Sequence, residues 1–167
     1  TLGGADLLRR MATAKGNQGD WAGALEALAE SCGIYESLGQ LETPEGATLL
    51  TDIGHAKGEH GDLKGGLRAY AEARQIRERT TTLETPEGAG LLMHIGIARG
   101  SDGDVSGKLK AYAEAHQIYE STGSLGTPDG ARLMSNIGSA RSEGGDQDGA
   151  LEAFAEARKI YERLGSF

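Results

Sequence analysis

The chain is poor in cysteine, in proline and in long apolar runs, with one Cys and three Pro among 167 residues. The single Cys32 excludes an intrachain disulfide and a thiolate metal cluster, and it suits a reducing compartment. It falls in the middle of a predicted helix beside Gly33 and Ile34, where a lone Cys reads as a small packing residue rather than a nucleophile. No apolar stretch reaches the length of a membrane span or of a signal peptide's apolar segment. A soluble, cytoplasmic protein without a membrane partner is therefore expected. Positive charge is also scarce. The 17 Lys and Arg stand against 25 Asp and Glu, a net charge of −8. A phosphate backbone needs a basic patch to bind, so a nucleic-acid partner is not expected. The acids are spread along the whole chain, which makes them a solubility device rather than a tail. The chain starts at Thr1 without Met, as a fragment of a longer polypeptide would.

The three prolines are spaced evenly. Thr43-Pro44, Thr85-Pro86 and Thr127-Pro128 recur at an interval of 42 residues, and Thr1, Gly4, Leu7 and Leu8 carry the register back without Pro. This divides the chain into repeats 1–42, 43–84, 85–126 and 127–167, read as one array. A fixed period of this size marks a solenoid, in which each unit buries its apolar face against its neighbours. With 167 residues, burial of about 70% of the unfolded surface is normal, and four short repeats fit that size.

The second repeat shows the plan. Thr43 suits an N-cap, Pro44 the first helical position and Glu45 the positive end of the helix dipole. Ala47, Leu50, Ile53, Gly54 and Lys57 then recur at three- and four-residue steps, with Asp52, His55 and Glu59 off the stripe, which predicts a helix ending near His60. Gly61-Asp62 closes that helix and caps the next, as do Gly19-Asp20, Gly103-Asp104 and Gly145-Asp146. Leu63, Leu67, Tyr70, Ala71, Arg74, Ile76 and Arg77 predict a second amphipathic helix, and Thr80, Thr81 and Thr82 end the unit.

Glycine is abundant, with 27 residues against a usual share of about 7%. Gly54, Gly96 and Gly138, with Ala12 at the same place in the first repeat, fall on the inward stripe, where a missing side chain lets two helices approach. Each costs about 1 kcal/mol of helix propensity relative to Ala, which packing must offset. Gly16, Gly58 and Gly100, followed by Ser142, lie near the end of the first helix, and fraying on heating is predicted there.

These patterns resemble the tetratricopeptide repeat in its longer, 42-residue form, of the kinesin-light-chain type, over the whole chain. Leu50, Ile53 and Gly54, then Leu92, Ile95 and Gly96, then Met134, Ile137 and Gly138 match the first helix of that family. The first repeat has Leu8, Met11 and Ala12 there. Gly61, Tyr70 and Ala73 match the turn glycine, aromatic and alanine, as do Gly103, Tyr112, Ala115 and Gly145, Phe154, Ala157. The first repeat departs with Leu28 and Ser31. The family's frequent first-helix Tyr is replaced by Lys15, Lys57, Arg99 and Arg141, which either ladder along a groove or lay their stems over the core and pair with carboxylates; the second is favoured.

The resemblance implies an all-α fold, a right-handed superhelical α-solenoid of four stacked helix-turn-helix repeats. It also implies a protein–protein interaction scaffold whose first helices line a concave groove for a peptide or partner helix. The groove positions implied are Asp6, Arg9, Arg10 and Thr13; Thr48, Thr51, Asp52 and His55; Gly90, Met93, His94 and Ile97; and Arg132, Ser135, Asn136 and Ser139. The carboxylate clamp of chaperone-binding members does not transfer, because Arg9, Thr13, Asp52, Gly90 and His94 stand where its cations and amides would be.

No catalytic residue, metal site or cofactor is expected. No two of His55, His60, His94 and His116 are four residues apart on a helix, and no nucleophile–base pair or phosphate loop is present. Asp52, His55 and His94 would approach across the groove if the family's stacking holds, and they read as solvated side chains. Two other functions stay open. The array starts and stops in repeat register, with Phe167 closing the last unit and no polar capping helix, so its ends would expose apolar surface and self-associate head to tail. Alternatively, the repeats form a fragment or model array with no selected ligand.

Overall fold

A computed structural model describes residues 1–165; Ser166 and Phe167, and with them the reading of Phe167 as the close of the fourth repeat, lie outside the described residues. The described residues form eight helices and no strand: α1 Leu2–Asn17, α2 Trp21–Ser37, α3 Pro44–Glu59, α4 Leu63–Arg79, α5 Pro86–Ser101, α6 Val105–Ser121, α7 Pro128–Glu143 and α8 Gln147–Arg163. The chain is all-α, built as four helix-turn-helix hairpins.

The two recurrent caps set these boundaries. Thr1, Thr43, Thr85 and Thr127 each accept a hydrogen bond on the side chain from the backbone N–H three residues on, and Pro occupies the first turn of α3, α5 and α7. Thr43 also donates its hydroxyl to the Gln40 carbonyl at 2.7 Å, and Thr127 to that of Ser124 at 2.8 Å, which ties each cap to the linker before it. Asp20, Asp62, Asp104 and Asp146 cap the second helices in the same way, accepting from the N–H groups of Gly23, Gly65, Gly107 and Gly149. The turn glycines before these Asp residues have φ between 80° and 95°, the left-handed conformation that Gly adopts without a Cβ penalty.

After several of these caps, glycine at the third position is a steric requirement that sequence reading left unexplained, whereas Gly4 after Thr1 has room for a Cβ. A Cβ at Gly46 or Gly130 would overlap the carbonyl of Leu41 or Leu125, and one at Gly65 would overlap the capping carboxylate of Asp62.

The chain divides into two compact units, Thr1–Leu83 and Glu84–Phe167. In the first, α1 pairs with α2 and α3 with α4, and α2 lies against α3. Ala5, Ala24, Leu28, Tyr35 and Leu49 make a common core there. The second unit follows the same plan, with α5 on α6, α7 on α8, and α6 against α7.

The inward glycines do what their position implied. A Cβ on Gly54 would lie 2.6 Å from the Tyr70 ring and one on Gly138 2.8 Å from the Phe154 ring, and one on Gly96 would overlap Tyr112. Each of these three hairpins therefore seats an aromatic ring directly on the backbone of the opposite helix. Gly16 also has a reason in packing: its missing Cβ makes room for Trp21, whose ring would lie 2.6 Å away. No such neighbour exists at Gly58. The first helices run on to Asn17, Glu59, Ser101 and Glu143 without a break at these positions.

Candidate functional site

The face implied for ligand binding is built from the first helix of each hairpin. In the first unit, Arg9 of α1 and Asp52 of α3 form an ion pair of 2.7 Å, with Nε donating to the same carboxylate oxygen at 2.9 Å. The pair joins two neighbouring first helices, and it means that the strongest charges of this face neutralise each other. Desolvation outweighs the Arg9 cation, so the Asp52 carboxyl stands above its ordinary value of 3.8 in spite of the bridge. Arg10 is exposed and pairs with Asp6 one turn back at 2.9 Å, a contact of little energetic weight between side chains this open to water.

The hydroxyls on this face are mostly turned back on their own helices. Thr13 donates to the Arg9 carbonyl at 3.2 Å, Thr48 to Pro44 at 3.0 Å and Thr51 to Ala47 at 2.8 Å. Thr48 is also the acceptor for Arg77, which reaches it at 3.0 Å from α4 and is itself buried. His55 is exposed and meets the edge of Trp21 at 5.4 Å between ring centroids, with the rings nearly perpendicular. Trp21 was not among the residues singled out from sequence. It comes from the start of a second helix, and 34 positions separate it from His55.

In the second unit the implied residues do not share one environment. Met93 is fully buried, with no exposed surface, so its inclusion in an open groove is corrected: it is a core side chain. The resemblance places Met93 there by its repeat position, which Arg9, Thr51 and Ser135 hold in the other repeats; those three polar side chains are half-buried, whereas the apolar Met93 is fully covered. Ile97 is 44% exposed, His94 and Asn136 are half-buried, and Arg132 is exposed and bound to Asp129 at 2.9 Å. Ser135 and Ser139 donate to the carbonyls four residues back, both at 3.1 Å.

Of the four cations that replace the family's Tyr, three lie beside helix caps. Lys15 meets Asp20 at 3.1 Å, Arg99 meets Asp104 at 3.7 Å, and Arg141 meets Asp146 at 4.0 Å while donating to the Gly149 carbonyl at 3.1 Å. Three of the four thus pair with the capping carboxylate of their own repeat, as the second of the two sequence readings has it. The Gly23 N–H and then Lys15 hold Asp20 below its ordinary value of 3.8.

A second concavity, absent from the sequence reading, lies between α6 and α7. Leu109, Tyr112, Ala113 and Ile137 line its apolar part, and His116, Gln117, Glu120 and Arg141 its polar part. His116 stands 3.4 Å from Glu120, a spacing that recurs in Arg74–Glu78 on α4 and Arg158–Glu162 on α8. That recurrence was readable as a motif of the second helix. Burial pushes the Tyr112 hydroxyl up to about 12, which keeps it neutral in any physiological setting. Among the described residues no group of three metal-ligating side chains comes together, and no helix is long and apolar enough to cross a membrane.

No protein-family model matches the chain, and no curated protein matches it in sequence. Solved structures do match it in fold. The crystal structure of BtubC (BKLC) from P. vanneervenii is 18% identical, with a TM-score of 0.83 over 98% of this chain. The chain spans 65% of the length of that protein. The crystal structure of MamA, also 18% identical, gives a TM-score of 0.66 over 98% of this chain and 81% of its own. At this identity the likeness establishes the fold: a TPR-like helical-repeat solenoid.

Proposed function

We propose that the protein is a non-catalytic interaction scaffold that holds a peptide or a partner helix on the exposed faces of its first helices. The observation that carries this reading is a contrast within the repeat. Ala5, Ala47, Ala89 and Ala131 are wholly buried and identical, whereas the exposed position eight residues on is Thr13, His55, Ile97 or Ser139. Packing fixes the first set, and nothing in the packing requires the second to vary as it does. A face with a hydroxyl, an imidazole and an aliphatic side chain at one repeat position suits a ligand of mixed polarity. Arg10, Thr13, Thr51 and His55 are the contact residues proposed in the first unit, and His94, Ile97, Arg132, Ser135, Asn136 and Ser139 in the second. The paired Arg9 and Asp52 set the spacing of α1 and α3 rather than meeting the ligand first.

A screen of the chain against a peptide library tests this, followed by substitution of the contact residues in the selected complex. Combined replacement of Arg10, Thr13 and His55, or of Ile97, Asn136 and Ser139, by Ala is expected to weaken binding by at least about tenfold in one unit or the other, with unchanged helicity. Affinity that is indifferent to both sets contradicts the reading. A second reading, contact between copies of the chain, has a separate observation behind it: Leu7 and Phe154 are exposed where their repeat equivalents are buried.

A further inference from the structure

The concavity between α6 and α7 belongs neither to the first-helix face nor to an end of the chain. Both of its walls lie inside the second unit, with α5 before them and α8 after. It has a volume of about 470 Å³, within the range of about 300–1,000 Å³ usual for small-molecule sites. Leu109 and Ala113, both exposed, and the half-buried Ile137 give it an apolar side that a ligand reaches from water. At the equivalent joint of the first unit, Leu25, Cys32 and Ile53 pack against the α2–α3 core. In α6 the larger, polar His116 and Gln117 stand where α2 has Cys32 and Gly33.

The charges around the concavity are mostly spent on one another. Glu120 lies 3.4 Å from Nδ1 of His116, and Glu143, at the end of α7, is held by Lys108 at 2.6 Å. Arg141 is the exception. It donates Nη1 to the Gly149 carbonyl at 3.1 Å, and among the described residues this is the one hydrogen bond its guanidinium makes. Asp146 is committed to the Gly149 N–H as the cap of α8 and stays 4.0 Å from Nε, outside hydrogen-bond distance. Most of the guanidinium donors therefore remain available beside an apolar wall. The amide of Gln117, exposed on α6, adds a further donor.

We infer that this concavity binds a small amphiphilic carboxylate, with its acyl chain on Leu109, Ala113 and Ile137 and its carboxylate on the Arg141 guanidinium. A planar guanidinium presents paired donors that match the two oxygens of a carboxylate. The apolar wall supplies the other half of the selection, since it gains from covering an acyl chain and gains nothing from a fully hydrated anion such as phosphate. The ligand is distinct from the peptide of the first-helix face, and the two sites share no residue.

Titration calorimetry with sodium octanoate tests the inference, with octylammonium as the probe of similar body and opposite charge. Octanoate is expected to saturate one site and to bind at least about tenfold more tightly than octylammonium. In NMR spectra it is expected to shift the amide signals of Leu109, Ala113 and Ile137. Arg141→Gln is expected to remove the preference for the carboxylate. Ala113→Trp, at an exposed helical position and so compatible with folding, is expected to fill the concavity and abolish binding of both probes. Octanoate that does not saturate overturns the inference, as does equal affinity for the two probes. A preference that survives Arg141→Gln, or binding that survives Ala113→Trp, overturns it as well. The peptide screen is read on other residues, so either proposal can fail without the other.

Discussion

The first hairpin and the second solve one packing problem with different residues. In α1 and α2 the meeting point is Ala12 and Leu28, both buried in one core. In α3 and α4 it is Gly54 and Tyr70, with the ring against the glycine backbone. Where the second helix carries a larger side chain, the first loses its methyl group. The helix spacing is therefore a joint property of two positions far apart in the chain, and neither residue type is informative without the other. α5–α6 and α7–α8 follow the second hairpin, with Gly96 under Tyr112 and Gly138 under Phe154.

The comparison breaks most severely if the ring is removed. Tyr112→Ala is expected to cost about 3–5 kcal/mol in urea denaturation. Phe154→Ala, at a ring 40% exposed, is expected to cost about 1–2 kcal/mol because less surface leaves water on folding. Equal losses would mean that burial does not separate the two rings. A smaller change goes to the other side of the contact. Gly54→Ala gains helix propensity but places a methyl group against Tyr70, for a net loss of about 1–2 kcal/mol. Adding Tyr70→Leu re-creates the first hairpin's pair, and the double variant is expected to be more stable than the sum of the two single changes by at least about 0.5 kcal/mol. Additivity in that cycle would break the link between the positions.

Gly16 and Gly58 sharpen the same point, because they occupy one repeat position with opposite expected signs. Gly16→Ala strikes Trp21 and should lower the melting temperature, while Gly58→Ala meets nothing within 4 Å and should raise stability by up to about 1 kcal/mol. The smallest effect is electrostatic. Asp20 is held below 3.8 in the fold, so its capping contribution is present above that value and is lost as pH falls through the folded one. The stability difference between the wild type and Asp20→Asn should therefore be largest near neutrality and shrink on acidification below pH 3.8. A difference that grows on acidification would show that the carboxylate is not favoured by the cap.

The fold could be read in the sequence because its signals are local and repeated. Thr-Pro starts, Gly-Asp turns and the apolar stripe each act within a few residues, and the period presents them several times. The site was harder to read because its properties depend on contacts between distant positions. Thr51 and Asp52 are adjacent in sequence, yet one turns its hydroxyl back on its own helix and the other is held by Arg9 of the neighbouring helix. Met93 and Ile97 look alike as apolar residues one turn apart, and only the structure separates a core side chain from an exposed one. Trp21 against His55, and the concavity between α6 and α7, arise where one hairpin meets the next, and no single repeat contains them.

The division of each repeat into buried positions that hold the fold and exposed first-helix positions that meet a ligand can be tested directly by hydrogen–deuterium exchange. The chain is measured alone and in complex with a peptide selected to bind it. Protection is expected to appear on the first helices, on α1 and α3 or on α5 and α7, with the second helices unchanged. Protection confined to α2, α4, α6 or α8, or to the concavity beside His116, would contradict it.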